Sequence, residues 1–134
     1  MSQQYLSPYI NFQGRAREGM EFYHNVFGGK LDLQTVDERG APRPAGPGDR
    51  IMHASLEADG ARILGTDGHP DFPAKVGENI ALAVGGTDKD RLTKIFNQLG
   101  QGGNVTMPPT DQSGGVGWLT DKFGVNWMVS ILRG

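Results

Sequence analysis

Three histidines, His24, His53 and His69, are the side chains of this 134-residue chain that exchange protons near neutral pH. His24 stands among polar neighbours in a stretch with helical spacing and reads as solvated. His53 falls in the run Ile51 to Glu57, where Met52, Ala54 and Leu56 alternate with Ile51, His53, Ser55 and Glu57. It reads either as a hydrogen-bonded interior histidine or as a general base or ligand donor on a cavity face. Asp67-Gly68-His69-Pro70-Asp71 sets two carboxylates and an imidazole in one loop. That set could hold a metal, and turn-forming Asp and Gly explain the same string. There is no cysteine, so neither thiolate chemistry nor a disulfide is available. No Gly-x-Ser-x-Gly occurs, and the glycine-rich segments lack the Lys-Ser/Thr of a phosphate loop. Met107, Trp118 and Met128 could line an apolar pocket for a flat ligand, while Trp127 reads as core.

The elements that must position these residues are legible from periodicity. Asn79 to Val84 alternates and predicts a strand, with Ile80, Leu82 and Val84 on one face and Asn79, Ala81 and Ala83 on the other. Gly85-Gly86 breaks it. Thr87 offers an N-cap oxygen with Asp90 three residues on, and Leu92, Ile95, Phe96 and Leu99 form a helical stripe. Gly100 is the expected left-handed C-terminal residue. Val105 and Met107 mark the next strand, followed by strands over Gly117 to Thr120 and Val125 to Leu132.

The first half reads the same way. A strand over Tyr5 to Phe12 leads into a helix over Arg15 to Phe27, with Ala16, Met20, Tyr23 and Phe27 as its stripe and Phe22 and Val26 flanking it. Strands follow over Lys30 to Val36, Ile51 to Glu57 and Ala61 to Thr66, the last two joined by an Asp59-Gly60 turn. Asp37 to Arg50 holds three prolines and three glycines without an apolar period. It predicts a long loop, either a surface connection or a lid. The count is strand, helix, three strands, twice over, with module 1 at about 5–67 and module 2 at about 79–132 of one domain spanning 1–134. Phe22 to Leu31 and Phe96 to Val105 look alike, which suggests a duplicated βαβββ module. The expected fold is α+β, with two curved mixed sheets enclosing a cavity and helices on their outer faces.

Composition narrows the function classes. The formal net charge is −2 and no basic run occurs, which argues against nucleic acid. No secretory signal or run long enough to span a bilayer is visible, so a cytoplasmic protein with no membrane partner is expected. Glycine, at 21 residues, is about twice its usual share and fits a chain of short strands and turns.

The pattern resembles the vicinal-oxygen-chelate superfamily of glyoxalases, bleomycin-resistance proteins and extradiol dioxygenases, and within it the PhnB-like branch. The resemblance rests on Pro8-Tyr9-Ile10-Asn11-Phe12, on Glu21-Phe22-Tyr23 with Val26-Phe27-Gly28-Gly29, and on Met52-His53-Ala54. In the second half it rests on Gly102-Gly103-Asn104-Val105-Thr106-Met107-Pro108 and on Thr120 through Met128. Metal enzymes of the superfamily place one His or Glu on each of four strands. The matching positions here are Tyr9 (or Pro8), Leu64 (or Thr66), Asn79 and Met128. None offers imidazole or carboxylate, so the resemblance implies a lost metal site and no cofactor.

Two functions stand against each other. One is a metal-independent binding protein for a small apolar or aromatic molecule, assembled as a homodimer, with Tyr9, His53, Asp67, Asn79, Met107, Trp118 and Met128 lining its cavity. The other is an enzyme of lyase or dioxygenase type that uses His53 or Asp67 as acid or base, or an unrecognised metal site. The methyltransferase label sometimes given to the branch finds no nucleotide-binding glycine signature here.

Overall fold

The structure, a computed structural model, describes residues 7–58, 60–68, 77, 80–110 and 114–132. The chain divides into two compact units, Met1–Ala74 and Lys75–Gly134. Unit 1 contains β1 (Tyr9–Asn11), α1 (Ala16–Phe27), β2 (Lys30–Val36), β3 (Pro42–Pro44), β4 (His53–Ala58) and β5 (Ala61–Thr66). Its sheet runs β1-β5-β4-β2-β3, with β1 parallel to β5 and the other pairs antiparallel. Unit 2 contains β6 (Leu82–Gly86), α2 (Lys89–Leu99), β7 (Asn104–Met107), β8 (Val116–Thr120) and β9 (Asn126–Ile131). Its sheet runs β6-β9-β8-β7, again with the first and last strands parallel. Neither sheet closes on itself. This is the expected α+β architecture of two βαβββ modules on mixed sheets. Among the described residues no helix is long and apolar enough to cross a membrane.

The extra strand is β3. It arises inside the proline-rich stretch 37–50 expected to be a loop, and pairs Val36 with Pro42 and Gln34 with Pro44. A hairpin turn folds it back: Asp37 Oδ1 accepts from Arg39 N at 2.8 Å and from Ala41 N at 2.9 Å. Prolines are tolerated there because β3 is an edge strand and pairs on one side only.

Each helix packs one face on its sheet. On α1 the buried residues are Ala16, Gly19, Met20, Tyr23 and Val26, so the stripe runs to Val26 and leaves Phe27 half-buried. Gly19 belongs to that face because the Phe12 ring fills its side-chain space: a Cβ on Gly19 would lie 2.6 Å from Phe12 Cδ1. A Cβ on Gly65 would lie 2.8 Å from the same ring, so two glycines make room for Phe12 between helix and strand. On α2 the expected stripe of Leu92, Ile95, Phe96 and Leu99 is the buried face. Its N-cap is Asp88, one residue beyond Thr87, with the carboxylate accepting from Arg91 N at 3.1 Å. Gly100 is right-handed at φ −77, and Gly102 at φ 74 makes the left-handed turn instead. Gly85-Gly86 does not end β6; the pair continues it against Ser130 and Ile131.

The helix-to-strand joints repeat. A Cβ on Gly29 would overlap the Glu57 carbonyl oxygen and one on Gly103 the Thr120 carbonyl oxygen. In each unit a glycine lets the strand that leaves the helix press against its antiparallel neighbour. That is the physical content of the likeness between residues 22–31 and 96–105.

Candidate functional site

In unit 2 the pleat separates two faces. Trp127 and Val129 on β9, with Leu119 and Gly117 on β8, face α2 and are buried. The opposite face carries the candidates. Met107 is paired with Trp118, Trp118 with Met128, and Met128 with Ala83, a row crossing all four strands. Trp118 is 40% and Met107 37% exposed, and Met128 is half-buried. Two thioethers thus flank an indole on an open, soft, polarisable surface. A cavity of about 480 Å³, lined among others by Thr87, Lys89, Pro109 and Ile131, holds none of the candidate residues.

In unit 1, β4 turns Ala54 and Leu56 to α1 and His53, Ser55 and Glu57 to the other face. Register places Gln34 beside His53, and Leu64 beside both Ser55 and Tyr9. Tyr9 is 59% exposed, and its ring centre lies 6.4 Å from that of His53. This face brings Tyr9 and His53 near each other in a polar setting that includes the Glu57–Arg62 ion pair. Asn79 lies outside the described residues.

Asp67 does something the sequence did not suggest. It is 8% exposed, and both its oxygens accept from backbone: Oδ1 from Ala16 N and Oδ2 from Ile51 N, each at 2.7 Å. The N-cap residue of α1, Arg15, makes no side-chain cap bond, so a carboxylate 51 residues away caps the helix. Asp67 is a tie between helix and sheet, not a polar group offered to a ligand. Asp121, 3% exposed, plays a similar part in unit 2. Its Oδ1 accepts from Phe123 N and Val125 N, and its Oδ2 from Trp127 Nε1 at 2.9 Å. An Asp opening a Lys-Phe-Gly turn was the available signal for such an Asx turn. No signal marked Asp67, whose partners are distant in sequence.

The positions that match metal ligands do not fit a divalent ion. Tyr9 and Leu64 are register neighbours on β1 and β5, and Met128 lies on the open face of β9. Together they offer a phenol, an alkyl chain and a thioether, none of them a usual ligand for Zn, Ni, Mn or Fe in such a site. Among the described residues no three His, Cys, Asp or Glu side chains come together.

The comparisons agree with this architecture. Residues 4–130 match the family described as 3-demethylubiquinone-9 3-methyltransferase. The chain belongs to that PhnB-like family. Protein PA1353 from Pseudomonas aeruginosa is 33% identical, with 98% of this chain and 100% of that one covered and a TM-score of 0.80. A PhnB protein from Bacillus cereus is 25% identical over 96% of this chain and 100% of its own, with a TM-score of 0.70. Protein YjdN from Escherichia coli K12 is 27% identical over 142 residues, 96% of this chain and 95% of that protein. The fosfomycin resistance protein FosX from Listeria monocytogenes, at 9% identity and a TM-score of 0.60, shares the fold.

Proposed function

We propose that this PhnB-like chain is a metal-independent small-molecule binding protein whose open sheet face in unit 2 takes an apolar or aromatic ligand. The observation that carries this reading is the exposed row of Met107, Trp118 and Met128 on neighbouring strands. Large apolar side chains left on one sheet face favour a flat ligand by area and by stacking on the indole. Among the described residues α1 follows Gln13-Gly14-Arg15 and α2 follows Gly86-Thr87-Asp88, neither of them a nucleotide-binding glycine turn that would support the methyltransferase description of the family.

A second reading is catalysis through His53, favoured by the phenol of Tyr9 beside its ring. Asp67 drops out of that reading because backbone groups occupy both its oxygens.

The experiment is a thermal-shift and fluorescence screen of aromatic probes on protein purified without a metal-binding tag, alongside its metal content. Stabilisation by aromatic probes, lost in Trp118→Ala and kept in His53→Ala, supports the binding reading. A stoichiometric metal, or clear stabilisation by Ni, Zn, Mn or Fe salts, overturns it.

A further inference from the structure

The apolar row is bordered, on the same face, by a polar row whose hydrogen bonds define what a ligand can find there. Asn104 is paired with Thr120 and Thr120 with Asn126, two residues along β8 and β9 from Trp118 and Met128. Two residues along a strand is roughly 7 Å, within the span of a two-ring aromatic.

The proton positions in the Thr120–Asn126 pair follow from the partners. Asn126 Nδ2 lies 3.1 Å from the carbonyl oxygens of both Gly77 and Ile80. Carbonyl oxygens only accept, so both amide hydrogens are committed and the other amide atom is the oxygen. Thr120 Oγ1 lies 2.9 Å from Asn126 Oδ1. An amide oxygen only accepts, so the hydroxyl hydrogen is committed too. Every donor of the pair is spent on the protein, and what remains for a ligand is lone pairs on Thr120 Oγ1 and Asn126 Oδ1. Both residues are half-buried, and their pair stands on the same sheet face two residues along from the Trp118–Met128 pair.

Resting on the binding reading above, we propose that this border selects the class of ligand: an aromatic molecule carrying a hydrogen-bond donor, such as a phenol or an aryl amine. A donor group finds an acceptor on Thr120 or Asn126. An ether or ketone laid over Thr120 and Asn126 finds no donor in that pair, and the donor left to it in the row is the exposed Asn104 amide on β7, so the preference is set where the ligand's polar group lies over β8 and β9. Asn126 is thus a specificity-determining residue, acting by fixing the Thr120 hydroxyl as an acceptor.

The test uses three matched probes: naphthalene, 2-naphthol and 2-methoxynaphthalene, titrated by calorimetry or by probe anisotropy. The wild-type chain is expected to bind 2-naphthol about tenfold more tightly than 2-methoxynaphthalene, the worth of roughly one hydrogen bond. Asn126→Leu releases the Thr120 hydroxyl to donate, and the ratio should fall to about twofold through gain of the methoxy probe, which damage to the fold would not produce. Thr120→Ser keeps the hydroxyl and should keep the ratio. If Asn126→Leu does not fold, the wild-type and Thr120→Ser ratios decide. Wild-type protein that binds both oxygenated probes equally, while binding naphthalene, overturns this inference alone. Protein that binds none of the three overturns the binding reading and this inference with it.

Discussion

The indole nitrogen of Trp127 donates to Asp121 Oδ2 at 2.9 Å, and both residues are buried. This bond accounts for the Thr-Asp-Lys-Phe-Gly-Val-x-Trp segment as a clasp. Asp121 shapes the turn between β8 and β9 with one oxygen and orients the core tryptophan of β9 with the other. Asp121→Ala leaves three donors without their carboxylate and should destabilise the chain by about 3 kcal/mol. Urea denaturation checks this, and Trp127→Phe, which removes only one donor, should cost less.

Asp67→Ala should release Ala16 N and Ile51 N together and cost about 2–4 kcal/mol. Hydrogen exchange should show the first turn of α1 losing protection before the rest of unit 1. Asp67→Asn keeps one acceptor and turns an amide donor toward one of the two N–H groups, so it should fall between wild type and alanine.

Gly29→Ala and Gly103→Ala test the repeated joints. At each position the added methyl overlaps a carbonyl oxygen on the neighbouring strand, and Gly29 is also left-handed at φ 86. Each substitution should cost upwards of about 2 kcal/mol. Gly14→Ala, at φ 94 with open space around it, meets only the backbone penalty and should cost about 1 kcal/mol. Thermal melts of the three variants give the comparison.

The β2–β3 hairpin and the turn after it should loosen in acid. The Ala41 and then the Arg39 backbone N–H hold the Asp37 carboxyl below its ordinary value of 3.8. The Gly46 N–H and then the Arg43 guanidinium do the same for Asp49. A lowered folded-state pKa means that these bonds contribute in full above the unfolded value and fade as pH falls through the lower folded value. Protection of the Ala41 and Gly46 amides should therefore be flat from neutral pH down to about 5 and drop below about 4. An onset near pH 6 would contradict the assignment.

Trp118→Ala should leave stability within about 1 kcal/mol, because the side chain is only partly buried, yet weaken an aromatic probe by about tenfold or more. Trp127→Ala should do the reverse, unfolding the unit before any effect on the open face can be read.

Much of this architecture was legible in the sequence because it rests on period. The α2 stripe follows from helical spacing and the runs of β2 and β5 from alternation, both enforced by local packing. The place of Gly19 on the α1 face was not legible, because Gly19 is core only through the ring of Phe12, which sits before the helix. β3 escaped because an edge strand needs no alternating face and prolines usually argue against a strand. Gly85-Gly86 read as a stop, and pairing with Ser130 and Ile131 overrode it. Among the candidate site residues, Met107, Trp118 and Met128 could be named from their types, and Tyr9 and His53 from the motif that carries them. The roles of Asp67 and Asn126 could not, since each depends on backbone groups far along the chain: Ala16 for the first, Gly77 and Ile80 for the second.

The parallel pairing of β6 with β9 has a mechanical consequence. The first and last strands of unit 2 lie side by side and point the same way, joined from Leu82–Trp127 to Gly86–Ile131. Tension applied across the ends of the unit pulls these two strands along their length in opposite senses. The load falls on all rungs of the ladder in shear, where an antiparallel hairpin would peel open one rung at a time. Pulled by an unfolding motor or a force probe, unit 2 should resist until the whole ladder gives way at once.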